Sequence, residues 1–190
     1  MMSRMMKMGI GTLSVILWFA SILIWFSIFV PIEYLINYFS GETTAYILHS
    51  DDFLMPIRAH VASANAIASF PSGVYTILMI IGLFSMLVGV FMVIQAVSAI
   101  VRNIQKQVYF STENSQQMNR IVKGQIWILG SSLLTACANQ LTVSWLYRIS
   151  RFGFGWDNLL SAFVELIIFA LIAMVYTRAV NMKTESDLTI

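Results

Sequence analysis

The chain has 190 residues, of which 58% are hydrophobic and 11% are charged, with a net charge of +2 and a mean hydropathy of +0.79. Soluble domains contain about 25% charged residues, so this composition is typical of an integral membrane protein. The single cysteine excludes a disulfide framework and a multi-cysteine zinc site, and two histidines leave little material for metal chemistry. We therefore expect no metal, no cofactor and no enzymatic activity.

Four runs without charge, or nearly so, predict membrane-spanning helices. They cover about residues 10–30, 74–101, 124–145 and 158–177, and only the last contains a charged residue, Glu165. A hydrocarbon core about 30 Å thick requires roughly 20 apolar residues in a helix. Since no run alternates with period two, helices are favoured over a β-barrel. The expected fold is an all-α four-helix bundle, with residues 1–190 forming a single membrane domain.

The distribution of positive charge predicts the orientation. Eight of the eleven Lys and Arg residues lie in the N-terminal tail, in residues 102–123 and in the tail 178–190. Because cytoplasmic loops are enriched in these residues, both termini and the 102–123 connection are expected in the cytoplasm. Residues 31–73 should then face outward, with one or two short helices on the membrane surface or capping the bundle. The first run is too long for a signal-peptide core, so a retained helix is expected.

The second and third spans are predicted to continue as helix beyond the bilayer. No helix breaker follows Gly89, and Ser111 or Thr112 is a suitable N-cap for the third helix, with Glu113 in its first turn. Residues 102–123 should therefore form an extended cytoplasmic helical hairpin. An ordinary solvated connection is the alternative.

Glu165 is the strongest candidate for a ligand-binding residue. A carboxylate in a membrane helix costs about 2.5–3.5 kcal/mol on insertion scales, and it usually faces the bundle or a wet cavity. Helical periodicity and an antiparallel third helix place further polar residues near it. The candidate ligand-binding residues are Asn139, Gln140, Asn158, Ser161 and Glu165, with Arg148 or Arg151 above them. They could form a small ligand, ion or proton site open to the outside; the alternative is an interhelical hydrogen bond or a protonated carboxyl that only stabilises packing.

Small residues on the second and third spans predict close approach of helix backbones. They are Gly82, Ser85, Gly89 and Ala96 on the second span, and Gly130, Ser131, Ser132, Thr135 and Ala136 on the third. A substrate path lined by small residues is the alternative interpretation.

Two patterns in the loops have simpler explanations than a nucleic-acid contact or a metal site. The aromatic residues Phe152, Phe154 and Trp156 are typical of the interfacial belt of membrane proteins, and no direct contact with nucleic acid is expected. His49 and His60 match no standard spacing of metal ligands.

Two segments that we expect in the cytoplasm are the most distinctive part of the sequence. The first is Tyr109-Phe110-Ser111-Thr112-Glu113-Asn114, followed by Met118-Asn119-Arg120-Ile121 and Gly124, and the second is the tail Lys183–Ile190. Together with four helices in this length, they resemble the uncharacterised bacterial membrane family catalogued as domain of unknown function 2975. That family's pattern is an aromatic-Phe-Ser/Thr-x-Glu-Asn turn and an acidic tail ending in Asp/Glu-Leu-Thr-Ile/Val. This sequence departs from it at Thr184, where an acidic residue is common.

The resemblance implies a multi-pass protein of the bacterial inner membrane with no established activity. Members of such families are often found beside genes for small helix-turn-helix regulators, which suggests a membrane partner for a transcription switch. The candidate partner-binding residues are Phe110, Ser111, Glu113, Asn114, Arg120, Asp187, Leu188, Thr189 and Ile190. A plain helix cap with a frayed tail is the alternative for these residues.

Our first hypothesis is therefore a non-enzymatic sensor or regulatory accessory protein that acts through its hairpin and tail. The alternative is a small transporter or immunity protein with an outward-open polar site around Glu165. Dimerisation or another homo-oligomer stays open, because exposed small-residue faces permit it.

Overall fold

The computed structural model describes residues 4–56, 61–151 and 156–188. Most residues in these ranges are helical. Two strands of two residues each pair in an antiparallel ribbon, in which Phe53 lies opposite Ser150 and Leu54 opposite Ile149. The elements are α1 (Arg4–Ser27), α2 (Phe29–Phe39), α3 (Thr43–His49), β1 (Phe53–Leu54), α4 (Ala64–Ala68), α5 (Ser72–Gln105), α6 (Thr112–Leu146), β2 (Ile149–Ser150) and α7 (Trp156–Leu188). The sequence did not predict the short ribbon.

Four helical runs in the described ranges are long and apolar enough to cross a membrane. They are Met8–Phe39, Ser72–Gln105, Thr112–Leu146 and Asn158–Ser186, with 32, 34, 35 and 29 residues. At about 1.5 Å of rise per residue, each run is longer than a hydrocarbon core about 30 Å thick. The prediction of a helical protein with four long apolar helices is confirmed. The first run includes α2, so helix extends beyond the expected end near residue 30.

Residue contacts divide the chain into two compact units. The hairpin unit comprises Met1–Ser27, Leu87–Trp127 and Phe163–Ile190, and the loop unit comprises Ile28–Met86 and Ile128–Ala162. Helices α5, α6 and α7 each contribute residues to both units.

Aromatic side chains form the core of the loop unit. The ring of Tyr75 lies 6.1 Å from that of Tyr34 and 5.7 Å from that of Phe70, measured between ring centroids. Tyr46 meets Phe53 edge to face at 6.0 Å. Because such pairs add to the free energy gained by burying their area, they fix α2, α3 and β1 against the first turns of α5. Residues 31–56 therefore pack as part of this unit and carry the short helices expected there.

Two glycines allow close approach of helices, one in each unit. A Cβ added at Gly82 of the loop unit would lie 2.8 Å from Thr135 Cγ2. A Cβ at Gly124 of the hairpin unit would lie 2.8 Å from the carbonyl oxygen of Gly89. Both contacts are shorter than a side chain permits, so the packing role predicted for Gly82 and Gly89 is confirmed. The same prediction is wrong for Gly130, because a Cβ there would meet nothing within 4 Å.

Candidate functional site

A cleft of about 660 Å³ lies in the hairpin unit between α1, α5 and α6. This volume falls within the roughly 300–1,000 Å³ that is common for small-molecule sites. Most of its lining side chains are polar or charged, although its three helices belong to runs that are long and apolar enough to cross a membrane. The charged side chains are Arg102, Glu113 and Arg120, and the carboxamides are Gln95, Gln105 and Gln117.

The α1 wall of the cleft follows from helical spacing. Ser14, Leu17, Trp18 and Ser21 are spaced at i, i+3, i+4 and i+7, which places them on one face of the helix. The Ser14 hydroxyl donates to the carbonyl of Ile10 at 3.0 Å, which satisfies its proton within the helix. Its oxygen still accepts a hydrogen bond of 3.0 Å from Gln105 Nε2, so this serine ties α1 to α5.

The opposite walls carry two arginines and one glutamate. Arg120 is half-buried, and its Nη2 donates to Gln95 Oε1 at 2.8 Å. Since Gln95 is neutral, this bond orients the guanidinium and leaves its charge intact. Within the described part of the chain, no hydrogen bond or ion pair engages the Arg102 guanidinium, and no salt bridge joins either arginine to Glu113.

Gln117 adds an unsatisfied group beside the cleft. Its Oε1 atom is buried and accepts no hydrogen bond from any residue that the structure describes. A buried carbonyl oxygen without a donor costs about 1–3 kcal/mol, so the arrangement favours a molecule that can supply one.

The turn between α5 and α6 is held by two buried asparagines. Asn103 Nδ2 donates to Asn114 Oδ1 at 2.8 Å, and both residues are buried. Asn114 Nδ2 in turn donates to the carbonyl oxygens of Val108 at 3.0 Å and Tyr109 at 3.1 Å. Helix α5 ends at Gln105, and beyond it Gln107 adopts a φ of 63° while the Val108 amide donates to the Asn103 carbonyl. The Asn114 side chain thus donates to two backbone carbonyls of the turn.

The N-cap predicted for α6 is confirmed. The Ser111 hydroxyl accepts a hydrogen bond of 3.2 Å from the backbone amide of Asn114, and α6 begins at Thr112. Glu113 lies in the first turn, where the helix dipole favours an anion.

Helix α7 is fastened to the same turn. The Tyr176 hydroxyl donates to the carbonyl oxygen of Tyr109. The ring of Tyr176 also stacks on that of Phe110, with centroids 5.9 Å apart and planes inclined by 16°. Next to it, the hydroxyls of Ser115 and Thr177 lie 2.7 Å apart. The turn and α7 therefore behave as one structural element within the hairpin unit.

The tip of the turn nevertheless presents apolar surface. Val108, Tyr109 and Phe110 are consecutive and are 40%, 42% and 52% exposed. Charged side chains that are also exposed, Lys106 and Glu113, lie on either side of them along the chain. An apolar patch with a charged rim is the pattern found at protein–protein contacts.

Comparison with known proteins assigns the family. The family described as "Protein of unknown function (DUF2975)" matches residues 10–190, which is nearly the whole chain. The chain belongs to this family. Searches of curated proteins and of solved structures find no match. The resemblance drawn from the turn and tail motifs is thus confirmed for this DUF2975 protein.

The partner-binding candidates of this DUF2975 chain divide by position. Phe110 is exposed at the tip, whereas Ser111 and Asn114 build the turn. Glu113 and Arg120 instead line the cleft. The remaining candidates lie at the end of the chain: Asp187 and Leu188 belong to α7 with side chains that are not described, and Thr189 and Ile190 lie outside the described residues. Binding of a partner by these residues stays a prediction.

The amides expected in a ligand site have local partners in the loop unit. Asn139 Oδ1 accepts from the Ser150 amide at 3.1 Å, and this ties α6 to β2. The space beside Asn139 is about 10 Å³, which is room for no more than one water molecule. Gln140 is exposed, donates to Ser144 Oγ at 3.2 Å and accepts from Trp156 Nε1 at 3.5 Å.

The other members of that expected site are exposed residues of α7. Asn158 and Ser161 belong to the loop unit, and Glu165 belongs to the hairpin unit. The proposed cluster with Asn139 and Gln140 therefore stays a prediction. Of the loop residues considered in the sequence, His60, Phe152 and Phe154 lie outside the described residues.

Uncharged polar residues on α1 and α5 indicate the cleft in the sequence, whereas the number of charged residues does not. Two serines seven residues apart on α1, on the same face as Leu17 and Trp18, place hydroxyl groups within the apolar part of the helix. Gln95 is the one strongly polar residue of the second span. Together these residues mark the faces of α1 and α5 that line the cleft.

Proposed function

We propose that the chain is a non-enzymatic sensor or regulatory accessory protein of the bacterial inner membrane. It acts on the cytoplasmic side, through the α5–α6 turn and the end of α7. The observation that carries this proposal is the attachment of the turn to α7 by Tyr176, which donates to the Tyr109 carbonyl and stacks on Phe110. A partner that binds the turn therefore also contacts the helix that leads into the acidic tail.

The surface of the turn supports a protein partner. Its apolar tip, Val108 to Phe110, is exposed while its backbone is fixed by Asn114, so the surface is formed before a partner arrives. A preformed surface lowers the entropic cost of binding. The positive residues Arg102, Lys106, Arg120 and Lys123 flank the turn, and this supports a cytoplasmic location.

The partner that fits this proposal is a small helix-turn-helix regulator held at the membrane. The turn supplies an apolar anchor, and the cleft on the same helices supplies a place for a signal molecule. Because Glu113 and Arg120 lie on the first turns of α6, a ligand in the cleft contacts the element that begins at the turn.

Site-specific photo-crosslinking in membranes tests the proposal. A benzophenone amino acid replaces Phe110 in the full chain, which is produced together with a small helix-turn-helix regulator as the proposed partner. The same amino acid at Leu54 is the control. Leu54 is 46% exposed in the loop unit, and its segment is expected on the outer side of the membrane, away from a cytoplasmic partner. We expect a covalent adduct from position 110 and none from position 54. Equal adducts from both positions, or none from position 110 at normal protein levels, would contradict the proposal.

A further inference from the structure

The cleft in the hairpin unit has a composition that suits one class of ligand. We infer that it binds a phosphate group, carried by the headgroup of a membrane phospholipid. A soluble phosphate ester has the same chemistry, and the test below separates the two sources. The inference goes beyond the proposed function and does not depend on it, because lipid binding is measured without any protein partner.

Two arginines supply the charge that a phosphate requires. Arg102 from α5 and Arg120 from α6 line the same cleft, against one carboxylate from Glu113. Guanidinium groups bind phosphate through two parallel hydrogen bonds, and these charge-assisted bonds are about twice as strong as neutral ones. In the ranges that the structure describes, neither arginine is engaged by a carboxylate, so both charges are available.

One of these arginines is already positioned. The bond of 2.8 Å from Arg120 Nη2 to Gln95 Oε1 uses one nitrogen of the guanidinium and leaves the others free to donate. Gln95 uses its oxygen in that bond, and its Nε2 has no partner among the described residues, so it can donate to a further phosphate oxygen. Fixing the side chain before binding reduces the entropy that is lost on association.

The position of the cleft along its helices fits a lipid headgroup. Arg102 directly follows the charge-free run 74–101, and Arg120 shortly precedes the charge-free run 124–145. Both guanidinium groups therefore belong at the edge of the hydrocarbon layer, where phospholipid phosphates lie.

The third wall, formed by α1, carries apolar and aromatic side chains beside its two serines. Leu17 and Trp18 of α1 line the cleft beside Ser14. Tryptophan favours the depth of the headgroups and glycerol backbone, so this wall suits the glycerol and the start of the acyl chains. A soluble phosphate would leave it uncovered. Because the arginines outnumber Glu113, an anionic headgroup such as that of phosphatidylglycerol should bind more tightly than zwitterionic phosphatidylethanolamine.

Native mass spectrometry of the full chain in detergent tests this inference. Phosphatidylglycerol is titrated onto the wild-type chain, onto Arg102→Gln and onto the double variant with Arg120→Gln. Arg178→Gln is the matched control, because Arg178 is exposed in the same unit and does not line the cleft. We expect the double variant to bind the first lipid at least tenfold more weakly and the control to stay within twofold of wild type. If the double variant does not accumulate, Arg102→Gln alone is decisive, because that side chain is exposed and has no partner to lose among the described residues.

Competition identifies the source of the phosphate. Glycerol 1-phosphate in excess should leave the first bound lipid in place, because it lacks acyl chains to contact Leu17 and Trp18. Displacement at comparable concentrations would assign the cleft to a soluble phosphate ester and overturn the lipid assignment. An equal loss of lipid in all three arginine variants, or no loss in any, would overturn the inference altogether, because binding would then be unspecific or elsewhere.

Discussion

Asn103 and Asn114 form a buried hydrogen bond of 2.8 Å between the end of α5 and the start of α6. This bond orients the Asn114 carboxamide so that its two N–H groups meet the carbonyl oxygens of Val108 and Tyr109. The turn is therefore shaped by a side chain that lies beneath it, and Phe110 is left exposed at its tip.

Asn114→Ala should lower the free energy of unfolding by about 2–3 kcal/mol, because the buried bond to Asn103 and two partly buried bonds to carbonyl oxygens of the turn are lost. Titration with a denaturing detergent, followed by circular dichroism, measures the change. Asn119→Ala is the matched control, since this asparagine is exposed on the same helix and should tolerate the replacement. Equal stability of the two variants would show that the Asn103–Asn114 bond does not organise the turn.

Tyr176→Phe should loosen the turn without unfolding the protein. The replacement removes the hydroxyl that donates to the Tyr109 carbonyl but keeps the ring stacked on Phe110. One neutral hydrogen bond contributes about 1 kcal/mol, so amides near the turn should exchange with deuterium several-fold faster. Tyr147→Phe, which alters an exposed tyrosine of the loop unit, should leave that exchange unchanged. Unaltered exchange in Tyr176→Phe would mean that α7 does not hold the turn.

Two glycine substitutions on α6 should have opposite effects. Gly124→Ala should destabilise the protein by about 1–3 kcal/mol, because the new methyl would lie 2.7 Å from Val93 Cγ2 and 2.8 Å from the Gly89 carbonyl oxygen. Gly130→Ala should be neutral or stabilising by up to about 1 kcal/mol, because open space surrounds it and alanine favours helix. Thermal unfolding of both variants in detergent compares them directly. If Gly130→Ala is the more harmful, the packing of α6 differs from that described.

Alkaline pH should destabilise the loop unit through Tyr46. Burial raises the pKa of this phenol above its ordinary value, and the nearby Tyr34, Glu33 and Asp52 raise it further. Tyr46 Oη also donates to Asp52 Oδ2 at 3.1 Å, which requires the neutral phenol. The stabilisation is complete below pH 10, where the unfolded phenol is still protonated, and it is lost as the pH rises above 10.

Unfolding curves between pH 8 and pH 11 measure this loss. Tyr46→Phe should be less stable than wild type at pH 8, because the bond to Asp52 is absent, but its stability should fall less steeply above pH 10. Tyr147→Phe is the control, since it removes an exposed phenol of the same unit. Parallel curves for wild type and Tyr46→Phe would contradict the assignment.

The sequence predicts the spans and the helix cap, but it does not predict which face of each helix packs against a neighbour. The spans follow from runs without charge, and the cap at Ser111 follows from residue type at a helix start. Gly124 and Gly130 look alike in sequence, yet only Gly124 faces another helix. The cleft requires three helices to turn their polar faces toward each other, and this is decided by tertiary packing that no single segment encodes.

The direction in which the Glu165 side chain faces was likewise not predictable from the sequence. The expectation that it faces the bundle came from the general cost of a charge in lipid, but its side chain is exposed in a span of 29 residues. An ionised carboxylate there costs about 2.5–3.5 kcal/mol on insertion scales. Since Glu165→Gln removes that charge, the variant should reach the membrane in equal or greater amounts and keep the crosslink from position 110.

Quantitative blots of membrane fractions measure the amount of the Glu165→Gln variant in the membrane. Glu42→Gln is the control, because it alters an exposed carboxylate in the short loop before α3. The alternative, an outward-open transport or immunity site around Glu165, predicts a different pattern. In that case Glu165→Gln would accumulate normally but lose uptake or protection in cells. A fall in accumulation for Glu165→Gln alone would instead show that the carboxylate has a stabilising partner in the membrane, because a residue without one loses nothing when its charge is removed.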